Sequence, residues 1–284
     1  MNYSQLYSYQ NIVNVPAVTL TVAPSGDYTT VKEALIVAVA SATVTKPYRV
    51  FIRNGTYNEI QMTGGDWVTV EGESRDGVII ISDGLRTDVD PISGQRYVDM
   101  AQVAKHCFLS ENNMTYRNLT IRANDVKYCI HSDQNGSAIR QKVVNCLLQH
   151  SNGYPVGCGA RASQILEFDS CVFEKLGDVA TDGVVGSHGL FWHSTAIQTR
   201  ATQLIVNNCT SINCGLSLIQ EMASTKSDLC KFINCASGES RGVRLIAATD
   251  AIAYNINILT VDSTLTIDCD ATTRPDGTLY IYQV

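Results

Sequence analysis

The chain has 284 residues, 45% of them hydrophobic and 17% charged, with a formal net charge of -6 and ten cysteines. A chain of that length buries roughly 70–75% of its unfolded surface, which excludes a disulfide-dependent miniprotein, and the slightly acidic balance argues against nucleic-acid binding. No apolar run reaches the roughly 20 residues that cross a bilayer, and Met1-Asn2-Tyr3-Ser4-Gln5 lacks the basic then apolar pattern of a secretory leader, so neither membrane insertion nor export by the general route is expected.

Residues 1–20 form a polar lead-in, an arm or a cap strand, and residues 21–284 carry the patterned part. Between Thr30 and Ala42 apolar residues recur at Val31, Ala34, Leu35, Ala38 and Val39, one face of a helix that closes before Lys46-Pro47. Short apolar runs then predict strands at Val50-Phe51-Ile52, Val68-Thr69-Val70 and Val78-Ile79-Ile80-Ile81, separated by Asn54-Gly55, Gly64-Gly65 and Asp76-Gly77.

The later two-thirds repeats itself. Strand-like pieces place Asn118, Asn145, Ser170, Asn208, Asn234 and Asn257 in equivalent positions, at intervals of 27, 25, 38, 26 and 23 residues. That spacing suits a solenoid coil of three short strands, with an insertion near 174–200. A second series keeps the same period: Cys129-Ile130, Val156-Gly157-Cys158, Leu190-Phe191, Leu216-Ser217-Leu218, Val243-Arg244-Leu245 and Leu265-Thr266-Ile267. Cys146, Cys171, Cys209 and Cys235 follow the repeated Asn or Ser, with Leu119 and Ile258 in their place elsewhere, so they are expected to point inward as small reduced hydrophobes. The Asn residues are expected at bends or in polar ladders. A tetrahedral zinc site would need clustering that Cys209 to Cys214 and Cys230 to Cys235 do not provide, and no metal or other cofactor is expected.

The opening segments Gly26-Asp27-Tyr28-Thr29-Thr30-Val31-Lys32-Glu33-Ala34-Leu35, Val50–Ile60 and Val68-Thr69-Val70-Glu71-Gly72 resemble those of the pectin-lyase-like right-handed parallel β-helices, most closely the pectin methylesterases. The resemblance implies an all-β fold, a single-stranded right-handed parallel β-helix with an amino-terminal capping helix, here of about eight to ten coils. It does not carry the usual activity with it. Where that family shows Gln-Asp-Thr with a catalytic carboxylate, this chain has His150-Ser151-Asn152. Asp178 falls near the family's second aspartate, but with Gly177 and Val179 as neighbours, and the Leu-Gly-Arg-Pro-Trp segment has no copy, leaving Arg241 and Arg244 to supply a guanidinium.

On such a scaffold, residues distant in sequence line up across a carbohydrate groove. The second series puts His131 and His193 in one approximate column with Gly159 between them, near Ser132, Asp133, Asp182, His188 and Glu221. Carboxylates paired with histidine suit hydrolysis, so the expected catalytic residues are His131, Asp133, Asp178, Asp182 and Glu221. The expected substrate-binding residues are His188, Trp192, His193, Arg241 and Arg244, with Trp192 either a sugar platform or a core residue. The resemblance extends to viral tailspikes, which implies a polysaccharide-recognising tail or appendage module, a homotrimer with viral partner proteins, folded in the cytosol and placed on a virion or surface appendage. The alternatives are a non-viral polysaccharide lyase, glycoside hydrolase or carbohydrate esterase, and a non-catalytic solenoid, either of them cytoplasmic.

Overall fold

The computed structural model describes residues 18–96, 98–99, 106–110, 113–124, 126–132, 140–151, 154–160, 165–176, 188–194, 203–220, 228–233, 235–237, 243–247, 255–261, 267–269 and 278–283, several of the later strands by their backbone path alone. Three parallel sheets run along one axis. The first joins ten strands: Val18–Val22, Tyr48–Ile52, Val68–Gly72, Thr115–Arg117, Arg140–Val144, Ile165–Asp169, Gln203–Asn207, Asp228–Ile233, Asn255–Val261 and Thr278–Gln283. The second joins seven: Gly55–Asn58, Val78–Asp83, Thr120–Asn124, Leu147–His150, Val172–Lys175, Thr210–Ile212 and Ala236–Ser237. The third joins eight: Met62–Thr63, His106–Leu109, Tyr128–Ser132, Tyr154–Ala160, His188–Ser194, Gly215–Gln220, Val243–Ala247 and Ile267–Cys269. The chain visits the sheets in turn and returns one rung further on, which is the expected parallel β-helix, right-handed as parallel crossovers almost always are.

The helix Val31–Ser41 closes the amino-terminal end. Thr30, in extended conformation, caps it by accepting from the Glu33 amide at 3.2 Å. A second cap comes from far along the chain: the buried Glu59 carboxylate accepts from the Val31 and Lys32 amides at 2.5 and 2.6 Å. Val31, Ala34, Leu35 and Ala38 are buried against the first coils, as the apolar spacing predicts. Asp90, also buried, receives Lys32 Nζ at 2.5 Å and so ties the segment after the sixth strand to the helix.

From Arg117 to Ala236, the corner between the first and second sheets spans two residues in each coil whose strands are described. The first is Asn118, Asn145, Ser170 or Asn208, at φ 55°, 48°, 56° and 52°. Asn tolerates this left-handed conformation better than most residues. Their amides continue the ladder, from Asn118 to Val144 O at 3.1 Å through Asn208 to Ile233 O at 2.9 Å. Their side chains form the expected polar ladder in part: Asn145 Nδ2 donates to Asn118 Oδ1 at 3.0 Å, while Asn208 Nδ2 donates to Asp169 Oδ1 at 3.1 Å. The second corner residue is Leu119, Cys146, Cys171, Cys209 or Cys235, all buried, the four cysteines as free thiols. They donate to nearby carbonyls, Cys209 Sγ to Asn207 O at 3.1 Å and Cys235 Sγ to Val206 O at 3.2 Å, and burial pushes the Cys146 thiol well up and raises that of Cys235.

The last repeat differs from expectation. Ile233 pairs with Val261, so the strand of the next coil runs on to Val261, past the expected bend at Asn257. Asn257 and Ile258 lie inside the strand Asn255–Val261, opposite Leu229 and Cys230. Asn234 also lies outside the described residues. The stretch 174–200 contains a strand of the third sheet, His188–Ser194, paired with Tyr154–Ala160 and, with a register shift between His188 and Leu190, with Gly215–Gln220.

Candidate functional site

The outer face of the third sheet carries a stack of rings. Along Tyr128–Ser132, both Cys129 and Ile130 are buried, the Cys129 thiol donating to Gln149 O at 3.1 Å, so strict alternation breaks and Tyr128 and His131 share the outer side. Their rings lie parallel, 4.6 Å apart with 4° between planes. His106 on the neighbouring strand stacks on His131 at 6.1 Å and 18°, and Lys127 Nζ sits 5.1 Å over the Tyr128 ring. His106 and His131 are half-buried, whereas Tyr128 is almost covered. Burial holds the His106 imidazole below its usual pKa, and its Nδ1 has no partner. Beneath the stack, Ser132 is buried and accepts from Gln141 Nε2 of the first sheet at 2.6 Å, fixing the strand's inner side.

The register corrects the expected column. His131 pairs with Gly157, and Gly157 with Phe191, whereas His193 pairs with Gly159. The two histidines are thus displaced by two residues, roughly 7 Å along the strand. The column of His131 continues through Phe191 and Ser217 to Arg244, four rungs or roughly 19 Å away, and ends at Asp268, which the sequence reading did not single out. Trp192 is in register with Cys158 and the buried Ser132. His188 pairs with Gly215, next to a register shift before Leu190. For His188, Trp192, His193 and Arg244 the backbone path alone is described, and Asp133, Asp178, Asp182, Glu221 and Arg241 lie outside the described residues.

His150 behaves unlike a groove residue. It is buried, neither ring nitrogen has a partner, and burial, with Lys175 adding to it, lowers its pKa to about 3. Its neighbour Gln149 belongs to an outer polar row instead, accepting from Arg122 Nε at 3.0 Å and donating to Glu174 at 2.7 Å. Glu59 is the described carboxylate nearest neutrality, pushed up to about 7 by burial against the opposing pull of the helix amides. Those amides give it a capping role. A hollow of about 580 Å³ lined by Tyr28, Glu33, Ile36, Val37 and Ile92 sits at the cap helix, not on the third sheet. Among the described residues no group of three or more His, Cys, Asp or Glu is arranged to hold a metal ion.

No protein-family model matches the chain, and no curated protein sequence matches it. Solved structures similar to it include pectin methylesterase from Aspergillus niger (TM-score 0.48, 14% identity, covering 95% of this chain and 87% of that one). Pectin methylesterase from Yersinia enterocolitica (0.48, 13%, 90% and 94%) and that from Erwinia chrysanthemi (0.46, 13%, 92% and 92%) are also similar. At such identities the likeness concerns the path of the chain and not its chemistry.

Proposed function

We propose that the protein is a carbohydrate-active β-helix that holds a polysaccharide along the outer face of the third sheet. The observation that carries this reading is the stack of Tyr128, His131 and His106 across two rungs, because the outer edges of the two half-buried imidazoles set hydrogen-bonding nitrogens beside ring carbon where a sugar can lie against them. Arg244 and Asp268 extend the same register column. Asp133, which follows this strand directly in sequence, and Asp178, Asp182 and Glu221 are the carboxylates proposed for hydrolysis or ester cleavage. The usual two-aspartate pectin methylesterase chemistry is not proposed, since His150-Ser151-Asn152 replaces one motif and the His150 ring is turned into the core.

Mass spectrometry of products after incubation with acidic and acetylated polysaccharides tests the reading. His131→Ala is expected to weaken polysaccharide binding about tenfold, the scale of a lost hydrogen bond to its ring, and an Asn or Gln substitution at one of the four carboxylates is expected to abolish product. Binding without product from any polysaccharide would leave a passive module. Nothing on the described residues speaks for the viral trimer, and a monomer in light scattering at high concentration removes it.

A further inference from the structure

The outer face of the first sheet is not used by the site above, and its charges are unevenly matched. Glu71 receives Arg49 Nη1 at 3.3 Å and Arg117 Nη2 at 2.6 Å, while Glu167 receives Arg140 Nη2 at 3.1 Å and Lys142 Nζ at 2.9 Å. Each carboxylate therefore serves two cations, and the two triads together keep a surplus of two positive charges. The carboxylates are also the covered members. Both glutamate side chains are 13% exposed, against 31% for Arg49, 37% for Arg117, 39% for Arg140 and 35% for Lys142. What these triads turn to solvent is cationic on a chain whose net charge is -6, bordered by Asp169 on the strand of Glu167 and by Glu73, which pairs with Arg53. The guanidinium groups of Arg49 and Arg53 also lie 5.3 and 5.2 Å from the Phe51 ring centre, which holds them against the sheet.

The register sets the spacing. Tyr48–Ile52, Val68–Gly72, Thr115–Arg117 and Arg140–Val144 are consecutive rungs, so the cations span three steps, roughly 14 Å along the axis. We propose that this strip docks an anionic polysaccharide, as a second binding face separate from the ring stack on the third sheet. A row of cations at the fixed spacing of the rungs fits a chain with regularly repeated carboxylates, and the covered glutamates offset only half of its charge. Nucleic acid is the less suited polyanion, because the acidic remainder of the molecule repels a long phosphate chain and the Phe51 ring is already occupied by two guanidiniums. The inference does not depend on catalysis at the third sheet.

Calorimetric titration of the full chain with oligomeric alginate at 50 and 200 mM salt tests it, with neutral dextran and single-stranded DNA as separate arms. Alginate binding that weakens with salt is expected, and the triple variant Arg49→Gln, Arg117→Gln, Lys142→Gln is expected to lose it by tenfold or more. Glu71→Gln with Glu167→Gln removes the covered negative charges and is expected to tighten alginate severalfold, a change opposite to that of damaged folding. Unchanged alginate affinity in both variants overturns the proposal, as does dextran or DNA binding as tightly as alginate. His131→Ala is expected to leave the strip-dependent affinity intact; if it alone abolishes alginate binding, the ligand belongs to the third sheet and the strip is a solvated face. Failure to find any product from polysaccharide bears on the third-sheet reading and leaves this one standing.

Discussion

From Arg117 to Ala236 the chain turns between the first and second sheets within two residues in coil after coil, whereas the passage from second to third sheet varies. That passage takes two residues after Ile212, three after His150 and the whole of 176–187 after Lys175. The short corner is fixed by two requirements at once, a residue that accepts a left-handed backbone and a small apolar side chain that fits the narrow interior behind it. The other corner meets both after Ile212, where Asn213 stands at φ 55° with the buried Cys214 behind it, but it is not held to that length elsewhere, so it is free to vary and to carry side chains selected for something other than packing. The candidate carboxylates Asp178 and Asp182 fall in the long passage, as loops on a rigid scaffold are where ligand chemistry is usually placed.

The largest expected effect separates the two corners by pH. His150 closes a second-sheet strand at the variable corner, with a folded pKa of about 3 against an ordinary 6.5. Below pH 6.5 the unfolded chain takes up a proton that the folded one refuses, so stability is present above that pH and is lost as pH falls. By pH 4 the loss amounts to about 3 kcal/mol. His150→Leu is expected to flatten this slope in denaturant titrations run from pH 7 to 4, and an unchanged slope would show that the acid sensitivity lies elsewhere. Against the fixed corner, one rung before it begins, Gly72 ends its strand beside Asn118, and a Cβ there would stand 2.1 Å from Asn118 O. Gly72→Ala is therefore expected to cost about 2 kcal/mol, as overpacking does, measurable as a lower midpoint in urea.

Smaller effects probe the bend itself. Asn145→Ala removes the hydrogen bond to Asn118 and places alanine at φ 48°, for an expected loss of about 1–2 kcal/mol, while Asn145→Gly keeps the backbone and costs less. Ser170, at φ 56° between two asparagine rungs, is the exception in the row, and Ser170→Asn is expected to raise stability by a few tenths of a kcal/mol. A destabilising Ser170→Asn would mean that the contact of its hydroxyl with Asp169 at 3.2 Å outweighs the backbone preference.

The fixed corner was legible in the sequence because it repeats: the Asn positions and the cysteines behind them recur with little variation, and the helix shows its apolar face at Val31, Ala34, Leu35 and Ala38. The variable side was not. Placing His131 against His193 from residue counts alone missed by two, since register depends on connections whose length the pattern does not reveal. Asn257 failed for the converse reason, being an asparagine in a strand that looks like one at a bend. Tyr128 escaped notice because two consecutive buried residues, Cys129 and Ile130, turn it to the face of His131, an irregularity that alternation cannot anticipate. His106 had no repeat partner to mark it, and the orphaned ring of His150 depends on burial, which a single imidazole in sequence does not announce.

The left-handed asparagine has a further consequence for how such a molecule can change length. Because the chain resets its direction at one defined residue per coil, the segment from Asn118 up to Asn145 is a transferable unit with matching ends. Duplicating or deleting one such unit advances every later residue by a whole turn of the thread, so the downstream coils keep their facing and their neighbours. The reach of both outer faces can then be lengthened in steps of a single rung without redesigning either of them.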